Sequence, residues 1–451
     1  MKDRNLLDLC STLVELARKA GADHAEATAS WERAVETHLE NGAVHTVQSR
    51  EETIYGLRVM VGGSQGFVTA NDSEPEVFAK RVAEAVACAR VTPKDAWVGL
   101  PDPEAVTKVS GLYDADVAEV GVDETAQLAA TMLAHIRDLD SRVRVDSGSV
   151  SATVSMTALA STTGVAVSQI STLMDASAFG MAVSGDEVAS FDYDNAISRR
   201  RRGFEEEISA ACDRFVTKCA AGLGATAGLS FRGPIVLSPD AVAEFLLPAL
   251  IDAVCADNVR KGRSPLAERL GQRVATSLLT VWDDGRVPGG VSSSAFDREG
   301  MPTRRRAVLS NGLLQTFLFN HYEARAKGNG TRSTGNATGS AASLPTVGSH
   351  RLEVDPGTTA MADMIARSER AVWVGRYSGA TNPVTGEFSG VVKNGFLIEN
   401  GVRRPVREVL IAGNVFELLN QISAVSRERH DVGGQALVPA LRAEDVSVTA
   451  G

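Results

Sequence analysis

Side chains that could hold a catalytic metal are the first chemistry to look for in this sequence. A zinc peptidase helix holds two imidazoles on one face, and an adjacent glutamate handles the proton of the metal-bound water. No two of the seven histidines stand at i, i+4 or a nearby helical spacing: they are His24, His38, His45, His135, His321, His350 and His430. We therefore expect no metal site on a helix. A site assembled from distant parts, such as His321 with Glu323 and His350, stays open.

Four acids in the second half of the chain could also do chemistry. Asp283, Asp284, Asp297 and Glu299 could act as paired carboxylates in acid–base catalysis, or bind a hard cation. Their segment is rich in glycine, serine and proline, and acids in such loops commonly brace the loop by accepting backbone N–H bonds. We favour the bracing role and keep a polar site as the alternative.

A run of small residues at positions 328–343 has the composition of a phosphate-binding loop but not its order. No Gly-Lys-Ser/Thr ends it and no GxGxxG follows a strand, so nucleotide binding is unsupported. Its backbone groups could instead pair with an extended peptide. Glycines on both sides of Asn336 predict few buried contacts, so Asn336→Ala is expected to change stability by no more than about half a kcal/mol.

The elements that would position these residues have an α+β pattern, and the first 100 residues form one predicted domain. Leucines at helical spacing predict an amphipathic helix closed by Gly21, and Asn41-Gly42 is a strong signal for a type I′ hairpin. The predicted helices are 4–20 and 74–90, and the predicted strands are 24–31, 34–40, 43–48, 53–61 and 66–70.

Two further domains are predicted, a middle one at 101–225 and a larger, strand-rich C-terminal one at 226–451. A proline-containing linker or loop at 92–120 leads into a helix at 124–139, a strand meander at 142–192 and a helix at 205–221. In the last domain, a buried strand feeds a helix at about 240–256. Ser238 is its predicted N-cap and Pro239 its first residue, and Pro248 should kink it.

Composition limits the function classes. With 44% hydrophobic and 23% charged residues the chain is ordinary for a folded protein, and its formal charge of -10 argues against general nucleic-acid affinity. The arginine clusters at 199–202 and 304–306 are short, which favours a solvated face or a subunit contact. Five cysteines without metal-ligand spacing suit free thiols in the cytoplasm, and neither a signal peptide nor a membrane span is expected.

Several segments together resemble the TldD/PmbA (TldE) family across nearly the whole chain. The N-terminal region contributes GAD(x)AE at 21–26 and GLRVMVGGSQGFV at 56–68. The C-terminal region contributes KGRSPL at 261–266, VWDDGRVPGGVSSSAFDREGMPTRRR at 281–306, STGNA at 333–337 and the final DVSVTAG. The resemblance places STGNA beside the family's cleft, so the implied substrate-cleft candidates are Ser333, Thr334, Gly335, Asn336, Arg263 and Ser264. It also favours an architectural role for the four acids, because both branches of the family keep their pattern.

The resemblance points to one branch of the family. TldD-type members carry a metal-binding HExxxH helix at the place of helix 240–256, and a late cysteine before a Gly-Gln pair. This chain has Glu244 without a neighbouring histidine, and His430–Leu441 keeps Gly434-Gln435 without any cysteine after Cys255. Its tail resembles that of the PmbA/TldE branch.

The implied function is therefore that of a partner subunit with no cofactor of its own. A TldD-type chain would carry zinc or iron in a heterodimer, and this chain would close the cleft and help to bind an unfolded or small peptide. One alternative is a self-sufficient non-metal hydrolase or amide-processing enzyme of the same fold, possibly a homodimer in a biosynthetic pathway. The sequence shows no nucleophile elbow or SxxK motif for such an enzyme. A binding or regulatory protein is the other alternative.

Overall fold

The computed structural model describes residues 6–71 and 75–451, and it has an α+β fold built around two large sheets. Seven strands form the first sheet: β1 (His24–Glu40), β2 (Ala43–Val61), β3 (Ser64–Ala70), β4 (Val143–Ser161), β5 (Ala166–Ser184), β6 (Glu187–Val188) and β7 (Asp192–Ser198). Their order is β3-β2-β1-β4-β5-β6, with β7 also paired to β5. All of these pairings are antiparallel.

The hairpin that joins β1 to β2 has the predicted turn. Asn41 and Gly42 both have positive φ angles, 49° and 73°, as a type I′ turn requires. Four short strands were expected where the chain has two long ones, and that prediction is wrong. Charged residues interrupt the apolar pattern near Glu32 and Arg50, but these two side chains point to the open side of the sheet, where they form an ion pair of 2.9 Å.

Helices cover one face of this sheet. They are α1 (Leu6–Lys19), α2 (Pro75–Val91), α3 (Ala115–Ala118), α4 (Val122–Leu139) and α5 (Phe204–Ala221). The predicted helices at 4–20 and 74–90 correspond to α1 and α2, and their first residues, 4–5 and 74, lie outside the described residues. Two apolar clusters form on that face, one under α1 and α2 and one under α4 and α5.

The domain boundary near residue 100 stays a prediction. Strand β1, before this boundary, pairs with β4, after it, over 15 residues from Glu26 to Glu40. The linker after α2 lies against the C-terminal half of the chain. Tyr322 Oη donates to Asp95 at 2.8 Å, and Arg304 pairs with Glu104 at 2.7 Å.

The C-terminal domain is built on a sheet of 14 strands. Its first strands are β8 (Thr226–Ala227), β9 (Phe231–Leu237), β10 (Val281–Asp284), β11 (Arg305–Ser310), β12 (Leu313–Leu314) and β15 (Arg351–Val354). The others are β16 (Arg370–Val374), β17 (Arg376–Thr381), β18 (Glu387–Lys393), β19 (Gly395–Glu399), β20 (Val402–Arg407), β21 (Val409–Asn414), β22 (Ile422–Val432) and β23 (Ala436–Ala450). A separate pair consists of β13 (Ala337–Thr338) and β14 (Thr346–Val347).

Short helices pack on this sheet around the largest apolar cluster of the molecule. They are α6 (Pro239–Ala241), a π-helical turn (Val242–Leu246), α7 (Leu247–Val254), α8 (Ala256–Arg260), α9 (His321–Lys327), α10 (Met361–Ala366) and α11 (Val415–Gln421). The predicted N-cap is confirmed, since Ser238 Oγ accepts from the Ala241 N–H. Within residues 6–71 and 75–451, no helix is both long enough and apolar enough to cross a membrane.

Candidate functional site

A cleft of about 860 Å³ opens where the first sheet meets the C-terminal domain. Strands β5 and β7 supply one wall, with Asp175, Ser177, Tyr193, Asp194, Asn195 and Ile197. Helical residues 240–252 supply another. The remaining lining comes from residues 348–352 and from the β22–β23 turn at 430–436. The helix and the C-terminal turn, the two segments for which the sequence resemblance implies a difference in metal ligands, therefore border the same cleft.

The helix has an unusual turn at this position. The Leu247 N–H donates to the Val242 carbonyl, five residues back, and Val242–Leu246 forms a π-helical turn. Pro248 follows directly and has no N–H to offer to the carbonyl of Glu244. The predicted kink is thus a local widening of the helix. The structural consequence is that Ala243, Glu244 and Pro248 all line the cleft.

The π turn changes which residues of the helix share a face. In an α-helix, residues five apart are separated by about 140° around the axis, so they do not share a face. A π turn closes its hydrogen bond over five residues, which brings residue i+5 back over residue i. Positions 243 and 248 can face the same cleft because of this turn.

A polar network borders the cleft. Tyr193 Oη donates a hydrogen bond to Glu244, and the Arg376 guanidinium lies 4.8 Å from the centre of the Tyr193 ring. Burial raises the pKa of Glu244, while the Tyr193 hydroxyl opposes that shift. Burial and the neighbouring Glu244 also raise the pKa of Tyr193, so its hydroxyl keeps its proton and remains a donor.

One lysine links three elements around this network. Lys218 on α5 pairs with Asp240 at 2.7 Å and with Asp194 on β7 at 3.0 Å. Burial acts to lower the pKa of Lys218, but these two carboxylates outweigh it and raise the pKa. The lysine is therefore charged and holds the helix against the first sheet.

The loop 333–337 lies behind the cleft wall. Asn336 is 1% exposed, and its Nδ2 donates to Asp283 Oδ2 at 2.6 Å and to the Gly348 carbonyl at 3.0 Å. Thr334 Oγ1 donates to Asn336 Oδ1 at 2.7 Å, and His350 Nε2 donates to the Gly335 carbonyl at 2.7 Å. Gly348 and His350 line the cleft, and the loop holds them from behind.

The expectation of a loop with few buried contacts is therefore wrong. It failed because the glycines that flank Asn336 in sequence say nothing about Asp283, which is 53 residues away. In the described part of the chain, residues 333–336 are not among those that line the cleft. Direct contact between this loop and a substrate stays a prediction, which burial does not favour.

Two models of one family match the chain. The PmbA/TldA metallopeptidase C-terminal domain matches residues 230–450, and PmbA/TldA metallopeptidase domain 1 matches residues 25–89. The chain belongs to the PmbA/TldD metallopeptidase family.

Individual relatives agree with the family assignment. The chain is 27% identical over 392 residues to an uncharacterised protein of Methanocaldococcus jannaschii, covering 86% of this chain and 88% of the relative. It is 26% identical over 431 residues to the metalloprotease PmbA of Escherichia coli O157:H7, covering 94% and 91%. The crystal structure of TldE from Thermococcus kodakarensis matches with a TM-score of 0.89 at 23% identity, over 98% of this chain and 100% of that one. This last likeness concerns the fold.

The donors at the cleft do not fit a metal centre of the HExxxH kind. At that spacing the helix carries Ala243, Glu244 and Pro248, and the side chains of Ala243 and Pro248 have no atom that can bind a metal. The remaining carboxylate, Glu244, accepts from Tyr193. Across residues 6–71 and 75–451, no three His, Cys, Asp or Glu side chains are grouped closely enough to hold a metal ion.

The residues of the alternative metal site, His321, Glu323 and His350, have other contacts. Glu323 is bound at two points by Arg260, at 2.7 and 2.9 Å, and the His321 N–H donates to Glu299 at 2.7 Å. Burial lowers the pKa of His321 to about 4, which keeps its imidazole neutral. His350 is turned to the Gly335 carbonyl.

Each of the four acids is buried and accepts at least one backbone N–H. Asp283 accepts from His350 at 2.6 Å, and Asp284 accepts from Arg286 at 2.8 Å. Asp297 accepts from three N–H groups, those of residues 299, 301 and 337, at 2.9 to 3.0 Å. Glu299 accepts from His321. These contacts are those of braced loops.

The charge of one of these acids acts on another. Burial, followed by the charge of Glu299, raises the pKa of Asp297 to about 8. Glu299 also takes part in a buried network that joins the two halves of the molecule. In this network Arg58 on β2 lies 3.7 Å from Glu299 and 2.7 Å from Glu26 on β1, and Arg298 lies 3.1 Å from Glu26.

The other cleft candidates lie elsewhere. Ser264 Oγ donates to the Ala253 carbonyl and accepts from the Leu266 N–H, so it shapes the turn after α8. Arg263 is exposed next to it. In the basic clusters, Arg199 donates to the carbonyls of Thr172, Gly290 and Val291, which ties β7 to the C-terminal domain.

Sequence reasoning did not single out the residues that line the cleft on the side of the first sheet. Tyr193, Asp194 and Lys218 come from a strand and a helix that precede segment 240–252 in the sequence, and no motif marks them. Glu244 was visible as the acid that remains on the helix. Its partner Tyr193 is 51 residues away, and only the packing of the two sheets brings them together.

Proposed function

We propose that this chain is the metal-free subunit of a heterodimeric metallopeptidase of the PmbA/TldD family. A TldD-type partner carries the metal, zinc or iron, and supplies the hydrolytic chemistry. This chain closes the shared cavity and helps to bind an unfolded or small peptide.

The observation that carries the proposal is a combination of two features. The chain has the fold of the family with a cleft beside the helix, but the helix has no histidines at the HExxxH spacing. Positions 243 and 248 have the spacing of the two histidines and both line the cleft through the π turn. Alanine and proline at these positions offer nothing to a metal, and the turn 430–436 has no thiolate. A cleft of family architecture whose helix and C-terminal turn lack these donors suits a subunit that binds substrate while its partner performs the reaction.

The dimensions of the cleft suit a small peptide. Its volume of about 860 Å³ lies within the range of small-molecule sites and can hold a few residues, but not a folded domain. Its lining combines apolar side chains such as Ile251 and Leu352 with hydroxyls, carboxylates and a lysine. Selection by access follows, because only an unfolded segment can enter.

Reconstitution with a TldD-type subunit from the same genome tests the proposal. Native mass spectrometry should show a complex with one copy of each chain, and the mixture should cleave an unstructured peptide. The matched controls are each subunit alone at the same concentration. Cleavage by this chain alone would support the self-sufficient enzyme instead, and equal rates for the partner with and without this chain would remove its role in the reaction.

A further inference from the structure

The first sheet has two very different faces. On β4, the side chains of Val150, Ala152 and Val154 are buried under helices. The alternate residues on the same strand, which point to the opposite face, are half-exposed. They are all small and hydroxylated: Ser149, Ser151, Thr153, Ser155 and Thr157.

This hydroxyl face continues onto the neighbouring strands. Directly paired residues of antiparallel strands share a face, so the pairs Ser149–Ser177 and Ser151–Asp175 place β5 residues beside them. The next pairs, Ser177–Asn195 and Asp175–Ile197, reach β7. On the other side, Glu36 and His38 of β1 pair with Ser151 and Ser149. We define the hydroxyl face as these half-exposed side chains of β1, β4, β5 and β7.

The hydroxyl face runs into the cleft without a break. Asp175, Ser177, Asn195 and Ile197 belong to it and also line the cleft. Strands lie about 4.8 Å apart, so the three strand spacings from β7 to β1 span about 14 Å of surface. That surface leads outward from the cleft.

The chemistry of this face is unlike that of a stable subunit contact. Interface cores are enriched in aromatic residues and methionine, and they are depleted in serine. Hydroxyl groups both donate and accept, so they can serve the N–H and C=O groups of any extended main chain regardless of its side chains. A mostly polar surface rich in serine and threonine therefore suits a polypeptide that passes over it.

We propose that the hydroxyl face is the floor along which an extended peptide runs to reach the cleft. The inference rests on the proposed function, since it takes the cleft to be the place where the peptide is processed. A peptide of a few residues occupies the cleft alone. A longer one also covers Ser151, Thr153 and their neighbours.

Cross-linking tests the position of the peptide. Cys88 is exposed and the other four cysteines are buried, so a Cys88→Ser background offers no accessible thiol among the described residues. Ser151→Cys in that background, within the reconstituted complex, should react with a fifteen-residue peptide that carries a maleimide on its first residue. The matched control is Ser209→Cys, because Ser209 is exposed on α5, which covers the opposite face. Excess unlabelled peptide should suppress the reaction at residue 151 only. Equal labelling of both variants would overturn the proposal.

Kinetics separate this inference from the function on which it rests. In Ser151→Trp the ratio of KM for the fifteen-residue peptide to KM for a tetrapeptide should rise about fivefold, because the indole obstructs only the longer substrate. An unchanged ratio in a complex that still cleaves the tetrapeptide contradicts the floor and leaves the proposed function standing. A parent complex that cleaves neither peptide contradicts both.

Discussion

The loop 333–337 and the helical segment 240–252 are both candidate functional segments in the sequence, but their surroundings in the structure are opposite. The loop is buried, and its Asn336 is hydrogen-bonded to a buried acid and a buried hydroxyl. The helical segment borders an open cleft with three apolar side chains and three carboxylates, those of Asp240, Glu244 and Asp252. Polar groups that satisfy one another in the interior support the fold. The cleft instead exposes its polar groups to a space that a ligand can enter.

The largest expected effect concerns the buried loop 333–337. Asn336→Ala should lower the free energy of unfolding by about 3 kcal/mol, because it removes the amide that Asp283 and Thr334 bind and leaves a buried carboxylate without that donor. Urea denaturation monitored by circular dichroism measures the change.

Ser333→Ala is the matched control, because the neighbouring Ser333 is only half-buried and its hydroxyl bonds the Phe319 carbonyl at 3.2 Å. Its loss of stability should be clearly smaller. If Asn336→Ala unfolds together with the parent, but the reconstituted complex turns over peptide poorly, the loop belongs to the substrate site and the comparison fails.

A smaller effect is expected in the pH dependence of stability, through Asp297. The folded-state pKa of Asp297 is raised to about 8, whereas the unfolded chain has the ordinary value near 4. Between these pH values the folded chain holds a proton that the unfolded chain releases. The contribution of Asp297 to the free energy of unfolding is therefore greatest below about pH 4 and falls as the pH rises to about 8.

Asp297→Asn removes this titration. Thermal unfolding from pH 5 to pH 8.5 should therefore show a shallower decline for the variant than for the parent, even though the variant starts from a lower stability. Parallel curves would mean that Asp297 is ionised throughout this range, and that its three N–H donors outweigh burial.

The smallest effect is expected at the cleft. In the reconstituted complex, Glu244→Gln should change KM by about two- to fivefold and leave kcat nearly constant, because the group assists binding and the partner performs the reaction. Tyr193→Phe, which removes the hydroxyl that Glu244 accepts from, is the companion variant. A fall in kcat of about a hundredfold or more in Glu244→Gln would make it a catalytic acid or base of this chain.

Features that depend on neighbouring residues could be predicted from the sequence. The Asn41-Gly42 turn, the Ser238 N-cap and helix α1 each follow from a few consecutive residues, and the structure has all three. The lengths of β1 and β2 could not, because charges on the open side of a sheet look like strand breaks when only one chain segment is considered.

The functional residues divide in the same way. The lack of a HExxxH motif on the helix and of a cysteine after Cys255 is visible in the residue types themselves. The burial of Asn336 is not visible, because it depends on Asp283 in another loop. The pairing of Tyr193 with Glu244 is equally hidden, since it depends on how the first sheet meets the C-terminal domain.

Metal content tests the central claim most directly. The isolated chain, purified without a histidine tag, should contain no stoichiometric zinc or iron by elemental analysis. The complex with a TldD-type subunit should contain about one metal ion, and a chelator should abolish its peptide cleavage. About one firmly bound metal per isolated chain, or cleavage by the isolated chain that persists in chelator, would contradict the account.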